Sequence, residues 1–259
     1  MKYLKKSLGQ NFLIEKNIIK KIINLIDIKG SNIIEIGPGK GALTDEIIKK
    51  KPNSLILIEK DFLLAKYLKE KYKNNKIEII NEDVLKLDFK NLIYDKTDII
   101  GNLPYNISSQ ILVKILKNDK FNKKFNNLIF MFQKELGEKI IGKFPSKNYG
   151  RLSILTNLKL NFISKFLVSP NCFFPKPKVT SMVIHFKAKT KIFDIKDISN
   201  LEKITNILFS SRRKIVKKKI KEILNTRKLN KLPELNLNLR PEKISPEIFY
   251  KITQLYEGK

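Results

Sequence analysis

The chain has no tryptophan, a single cysteine and a single histidine, and its acidic residues are outnumbered by basic ones, 25 to 53. One cysteine, Cys172, excludes an internal disulfide and fits a reducing compartment. One cysteine with one histidine leaves no His/Cys zinc set. His185 lies in the strand-like run Met182-Val183-Ile184-His185-Phe186, where an ordinary strand histidine is expected rather than half of a Ser/His catalytic pair. Uncharged apolar runs of membrane-spanning length are also lacking. The start, Met1 to Lys6, is basic but continues into Ser7-Leu8-Gly9-Gln10 with no apolar stretch, so no signal peptide and a cytosolic location are expected. The shortage of acid leaves a formal charge of +28, a field that attracts polyanions, nucleic acid first among them. Lys, Asn and Ile are abundant together, as AT-rich coding produces, so part of the lysine excess is expected to be solvated surface.

What is present is a repeated alternation. At 259 residues the chain is long enough for one large domain, or one domain with a smaller second. Ile14, Ile18, Ile19, Ile22, Ile23 and Ile26 recur at helical spacing, with Lys16, Lys20 and Lys21 on the other face. Short β-like runs come next at Ile33–Ile36, Leu55–Ile58, Ile77–Ile80, Asp98–Ile100 and Leu128–Phe132, with helical segments such as Phe62–Tyr72 and Ser108–Leu116 between them. This order predicts βαβ units and a mostly parallel sheet. Leu160–Leu167 and Ser181–Phe186 have no helix between them and predict an antiparallel hairpin closing one edge. Lys187–Lys191 reads as a linker. Beyond it the pattern is helical, through the basic run Arg212–Lys221. The predicted domains are therefore residues 1–191, α/β, and a small α-helical domain over 192–259.

In an open parallel sheet, ligands bind at the carboxyl ends of the strands. Glu35-Ile36-Gly37-Pro38-Gly39-Lys40-Gly41-Ala42 places glycines at a strand-to-helix turn, where a nucleotide-sized ligand can approach the backbone and free N–H groups. Glu59 ends the next strand, about 20 residues beyond the glycines, where a carboxylate can accept both hydroxyls of a ribose. Pairing with Lys60 at the surface is the plainer alternative. Asp83 ends the third strand region and can accept from an adenine amino group, or serve only as a helix cap. These features fit NAD and S-adenosylmethionine equally. Asn102-Leu103-Pro104-Tyr105, after the fourth strand, separates them, because it offers none of the proton-relay histidine common in hydride chemistry. It suits an exocyclic amine. The Asn102 side-chain oxygen and the Leu103 carbonyl could each accept one N–H. Pro104 fixes φ and removes a donor, and Tyr105 supplies a flat face for a flipped base.

Together these motifs resemble the class I, Rossmann-like S-adenosylmethionine-dependent methyltransferases, and within them the KsgA family of ribosomal RNA adenine dimethyltransferases. The resemblance runs from Leu8-Gly9-Gln10-Asn11-Phe12-Leu13 through Glu35–Gly39, Asn102–Tyr105, Gln133-Lys134-Glu135 and Tyr149–Ser153. It continues in Phe173–Val179, Arg212-Arg213-Lys214 and Leu239-Arg240-Pro241-Glu242. Lys176 and Thr180 depart from the usual proline and aspartate. The resemblance implies that Asn11, Leu13, Gly37, Gly39, Glu59, Asp83 and Asn102 bind S-adenosylmethionine, with Gly37 under its methionine part, Glu59 on the ribose and Asp83 on the adenine. It implies that Phe173 covers the target base opposite Tyr105. The implied RNA contacts are Arg212, Arg213, Lys214, Lys217, Lys218 and Lys221.

The implied reaction is in-line methyl transfer, without a metal, to N6 of two adjacent adenosines near the 3′ end of 16S ribosomal RNA in the assembling 30S particle. The enzyme is expected in the cytoplasm and as a monomer off the ribosome. Two alternatives stay open on the residues alone. One is a resistance methyltransferase of large-subunit RNA. The other is an assembly factor for which binding is the main role and methylation secondary.

Overall fold

The computed structural model describes residues 11–89, 92, 96–118, 124–190 and 192–259; the motif residues Leu8–Gln10 and the linker end Lys191 lie outside these. The strands, in chain order, are β1 (Phe12–Leu13), β2 (Asn32–Ile36), β3 (Ser54–Ile58), β4 (Glu78–Ile80), β5 (Thr97–Asn102), β6 (Phe125–Gln133), β7 (Leu160–Val168), β8 (Phe173–Phe174) and β9 (Ser181–Ala188). Seven of them form one sheet in the order β4-β3-β2-β5-β6-β9-β7. The pairs from β4 through β6 are parallel, and β9 pairs antiparallel with β6. The predicted edge therefore forms, with β9 set between β6 and β7. β1 and β8 make a separate two-stranded antiparallel ribbon.

The central strands are apolar on both faces because both faces are covered. Ile33, Leu57, Ile99, Ile100, Phe130 and Phe132 are fully or almost fully buried. Helices α1 (Lys16–Ile23), α2 (Ala42–Lys49), α3 (Phe62–Lys71) and α4 (Ser108–Leu116) fill the connections before β6. The isoleucine periodicity overestimates α1. Glu15 caps its start by accepting from the Asn17 N–H, the chain leaves the helix at Asn24, and Ile14 is exposed outside it. β5, by contrast, runs two residues beyond the predicted strand. Ile36 faces Gly101 and Met131 faces Asn102, so Asn102 is the last strand residue. Gly101 is required there, since a Cβ would lie 2.9 Å from the Ile36 carbonyl oxygen and 2.8 Å from the Leu103 side chain.

At the opposite end of the strands, Asp98 Oδ1 accepts from both the backbone and side-chain amides of Asn127, whose Oδ1 pairs with His185 Nε2 at 2.9 Å. Because the Asn127 amide already donates to Asp98, its oxygen must accept, which places the imidazole proton on Nε2. His185 is thus a buried strand histidine in a polar chain across β5, β6 and β9.

The chain divides into two compact units that do not follow one cut: residues 1–114, 120–137 and 161–188 in the first, and 115–119, 138–160 and 189–259 in the second. Residues 192–259 fall wholly in the second. Its helices are the end of α5 (Lys134–Ile140), α6 (Arg151–Lys159), α7 (Ile198–Phe209), α8 (Lys217–Lys221), α9 (Thr226–Leu229) and α10 (Pro246–Tyr256). Phe144, Tyr149, Phe209 and Phe249 form a chain of ring contacts that runs from the exposed Phe144 to the buried Tyr149 and Phe249, and the Tyr149 hydroxyl donates to the Ile244 carbonyl at 2.8 Å. The basic run is not one helix. Residues 210–215 form turns and only Lys217–Lys221 is helical. The Arg212 guanidinium bonds Glu242 at 2.8 Å and donates to the carbonyls of Lys147 and Tyr149, while the N–H groups of Val216 and Lys217 donate to Leu239 and Leu237. Those tertiary bonds hold the backbone away from a continuous helix.

Candidate active site

The site gathers at the carboxyl ends of β2, β3, β4 and β5, all in the first unit. A cavity of about 290 Å³ opens there, walled by 11–14, 35–40, 58–60, 82–84 and 102–107, with Ala42, Leu43, Leu64 and Ile111 behind. Every cofactor residue anticipated from the sequence lines it: Asn11, Leu13, Gly37, Gly39, Glu59, Asp83 and Asn102.

The glycine turn works through its backbone. Gly37, Gly39 and Gly41 have φ of 68°, 60° and 85°, a region side chains disfavour. Gly39 also lies against the Phe12 ring, where a Cβ would meet ring carbons at 2.9 Å. That contact brings the β1 segment over the turn. Lys40 adds its ammonium 5.2 Å from the centre of the same ring.

Glu59 is not the partner of the Lys60 ammonium, and only the Lys60 backbone N–H acts on it. It is buried, and its two oxygens accept from the Gly39 N–H at 3.2 Å and the Asp61 N–H at 2.8 Å. Burial raises its pKa, while those backbone donors act in the opposite direction. Lys60 instead reaches Asp83 at 2.8 Å and holds that carboxyl below its usual pKa. The other Asp83 oxygen accepts from the Leu85 N–H at 3.0 Å, so Asp83 closes the turn at 84–86, not a helix, while also lining the cavity. Glu35, at the floor, is almost fully buried. Its pKa is pushed up to about 8, chiefly by burial, although Thr44 donates to it at 2.6 Å. Nothing in the sequence alone marks Glu35 out for such a state.

At the end of β5, the Asn102 amide nitrogen donates to the Asn11 carbonyl at 3.0 Å. Leu103 is buried beneath the loop. The Pro104 carbonyl accepts from the Ile107 N–H, and the Tyr105 carbonyl accepts from the Ser108 hydroxyl at 3.2 Å, which closes the loop into α4. Asn102, Leu103, Pro104 and Tyr105 all line the cavity. Tyr105 is partly buried, which raises its phenol pKa, and its hydroxyl meets the Ser181 hydroxyl.

Phe173 is not brought to the cavity wall. It is 3 % exposed, within a core cluster, directly opposite Leu13 in the β1–β8 ribbon; its neighbour Phe174 is 44 % exposed. In the second unit, Arg213, Lys214, Lys217, Lys218 and Lys221 are exposed, whereas Arg212 is committed to Glu242 and two carbonyls.

A family model described as ribosomal RNA adenine dimethylase matches residues 1–257. A ribosomal RNA small subunit methyltransferase A of Pelagibacter ubique is 45% identical over 254 residues, covering 98% of this chain and 97% of its own. The protein of the same name from Mycoplasma mobile is 41% identical, covering 96% of each. Among solved structures, a dimethyladenosine transferase from Plasmodium falciparum superposes with a TM-score of 0.80 at 24% identity, over 95% of this chain and 98% of that one. The 23S ribosomal RNA methyltransferase ErmE superposes with 0.69 at 21% identity, over 95% and 100%. The shared fold is the Rossmann-like class I methyltransferase sheet, and with the full-length family match this chain belongs to the ribosomal RNA adenine dimethylases.

Proposed function

We propose that this chain, by family an S-adenosylmethionine-dependent ribosomal RNA adenine dimethyltransferase, acts on N6 of two adjacent adenosines near the 3′ end of 16S RNA in the assembling 30S particle. It does so in the cytoplasm and as a monomer off the ribosome. The observation that carries this is the Asn102–Tyr105 loop at the mouth of a cavity already walled by Glu59, Asp83 and the glycine turn. The donor and acceptor set fits the cofactor. The Glu59 carboxylate, which faces the backbone N–H groups of Gly39, Asp61 and Lys60, keeps lone-pair capacity that suits ribose hydroxyls. Asp83 suits an adenine amine, Gly37 and Gly39 leave room at the turn, and Asn11 and Leu13 close the wall above.

S-adenosylmethionine supplies a methyl group already activated on its sulfonium. The protein's own work is placement. The N6 lone pair of adenine is delocalised into the ring. Asn102 Oδ1 and the Leu103 carbonyl accept the two N–H bonds, which turns the lone pair toward the methyl and stabilises positive charge as it develops. Tyr105 stacks on the extruded base. The family resemblance assigns the second cover to Phe173, whose ring is packed in the core here. Residues 1–191 constitute the S-adenosylmethionine-binding catalytic domain and 192–259 the helical C-terminal domain. The latter presents Arg213, Lys214, Lys217, Lys218 and Lys221 to RNA, with Arg212 holding their turn.

The test is transfer of labelled methyl from S-adenosylmethionine to undermethylated ribosomal subunits. The expected product is N6,N6-dimethyladenosine at two neighbouring positions in small-subunit RNA. Label confined to large-subunit RNA would instead make the chain a resistance-type enzyme.

A further inference from the structure

The backbone and the side chain of Tyr105 are held by different elements. Its backbone is fixed within the loop, by Ser108 on its carbonyl and by the Pro104–Ile107 turn. Its ring is fixed from outside the loop, by a hydrogen bond of 2.5 Å between the phenol and the Ser181 hydroxyl. Ser181 is fully buried and is the first residue of β9, directly after the segment 173–180 that carries Phe173. It stands opposite Gln133 in the β6–β9 pairing, and the carbonyl of its neighbour Thr180 accepts from the Lys134 N–H at 2.9 Å. The anchor is therefore sheet, not loop. A ring tethered at its hydroxyl cannot swing about its Cα–Cβ bond, so its place beside the cavity is fixed, although the hydroxyl lies on the Cβ–Cγ axis and leaves the turn of the face about that axis to packing.

We propose that Ser181 is a positioning residue for methyl transfer: it holds the Tyr105 ring in place beside the cavity, where the target adenine would stack on it, and it ties that ring to the strand following the segment that carries Phe173. This rests on the reading of Tyr105 as the stacking face. Ser181 itself is buried and does not line the cavity. The near-attack arrangement of amine and methyl depends on the stacked base being held still, and small misplacements there are costly.

The experiment is a double-mutant cycle on single-turnover methyl transfer to undermethylated small subunits at saturating S-adenosylmethionine, using Ser181→Ala, Tyr105→Phe, the pair together, and Tyr105→Ala. Ser181→Ala and Tyr105→Phe are each expected to slow transfer roughly 10- to 100-fold. The pair should be no slower than either alone, since both remove one bond. Affinity for S-adenosylmethionine should stay at the parental level in all of them. Tyr105→Phe removes the bond without a gap in the sheet, so it carries the test should Ser181→Ala fold poorly. Parental rates in both single variants, or losses that multiply in the pair, would overturn the role of Ser181. A parental rate in Tyr105→Ala would overturn the stacking reading beneath it.

Discussion

The amide of Asn102 can face only one way. The Asn11 carbonyl has no hydrogen to give, so the nitrogen must point to it and Oδ1 must point the other way. A backbone acceptor from the N-terminal segment thus sets the direction of the side-chain acceptor on which the proposed mechanism relies. Glu35 is the other residue whose state is set by its surroundings. Burial is the main cause of its raised pKa, with Asp45 and Glu59 adding to it and Thr44 and Lys71 opposing it. A carboxyl raised from 4.5 to about 8 on folding favours the native state most at low pH, and that contribution is lost as pH rises through this window. Glu35→Gln removes the dependence. In ligand-free protein its Tm should match the parent's near the bottom of the window and gain on it steadily toward the top. A constant difference would mean that Glu35 is ionised throughout. Asn102, Glu59 and Asp83 were legible in the sequence because strand ends can be located from apolar runs. Glu35 and Ser181 were not. Their surroundings depend on burial and on a partner, and Tyr105 and Ser181 are 76 residues apart.

Among the elements, α4 was readable to the residue, and the central strands to within a few residues, because apolar periodicity and sheet burial agree there. The ribbon of β1 and β8 was not readable. Two-residue strands leave no periodicity, yet pairing of Leu13 with Phe173 joins a cavity wall to the segment that precedes β9. The basic run misled in a different way. Its composition is helical, but Arg212 is drawn to Glu242 and to the carbonyls of Lys147 and Tyr149, and tertiary contacts override propensity. This divides the run by function. Arg212→Ala should lower the stability of the second unit by roughly 1 kcal/mol, since its bonds are half-exposed. Lys217→Gln and Lys218→Gln should leave Tm unchanged. Each should instead flatten the salt dependence of RNA affinity, by about 0.7–0.9 in the log–log slope per lost phosphate contact. Denaturation curves and salt titrations separate the two. An unchanged slope in both lysine variants would show these charges to be solvated surface.

For the whole molecule, the proposed function divides the work: the charge of +28 would draw RNA toward the protein, and the cavity at the ends of four strands would select the amine. Recognition and chemistry should therefore come apart under a single substitution. Asn102→Ala removes an acceptor from the cavity and touches none of the exposed lysines. The decisive measurement compares this variant with the parent on undermethylated small subunits, at saturating S-adenosylmethionine, reading subunit affinity and N6,N6-dimethyladenosine together. The expected result is parental affinity with methyl transfer slowed by roughly 100-fold or more. Transfer at the parental rate would contradict the account, since the amine would then be oriented by something other than the loop that closes β5.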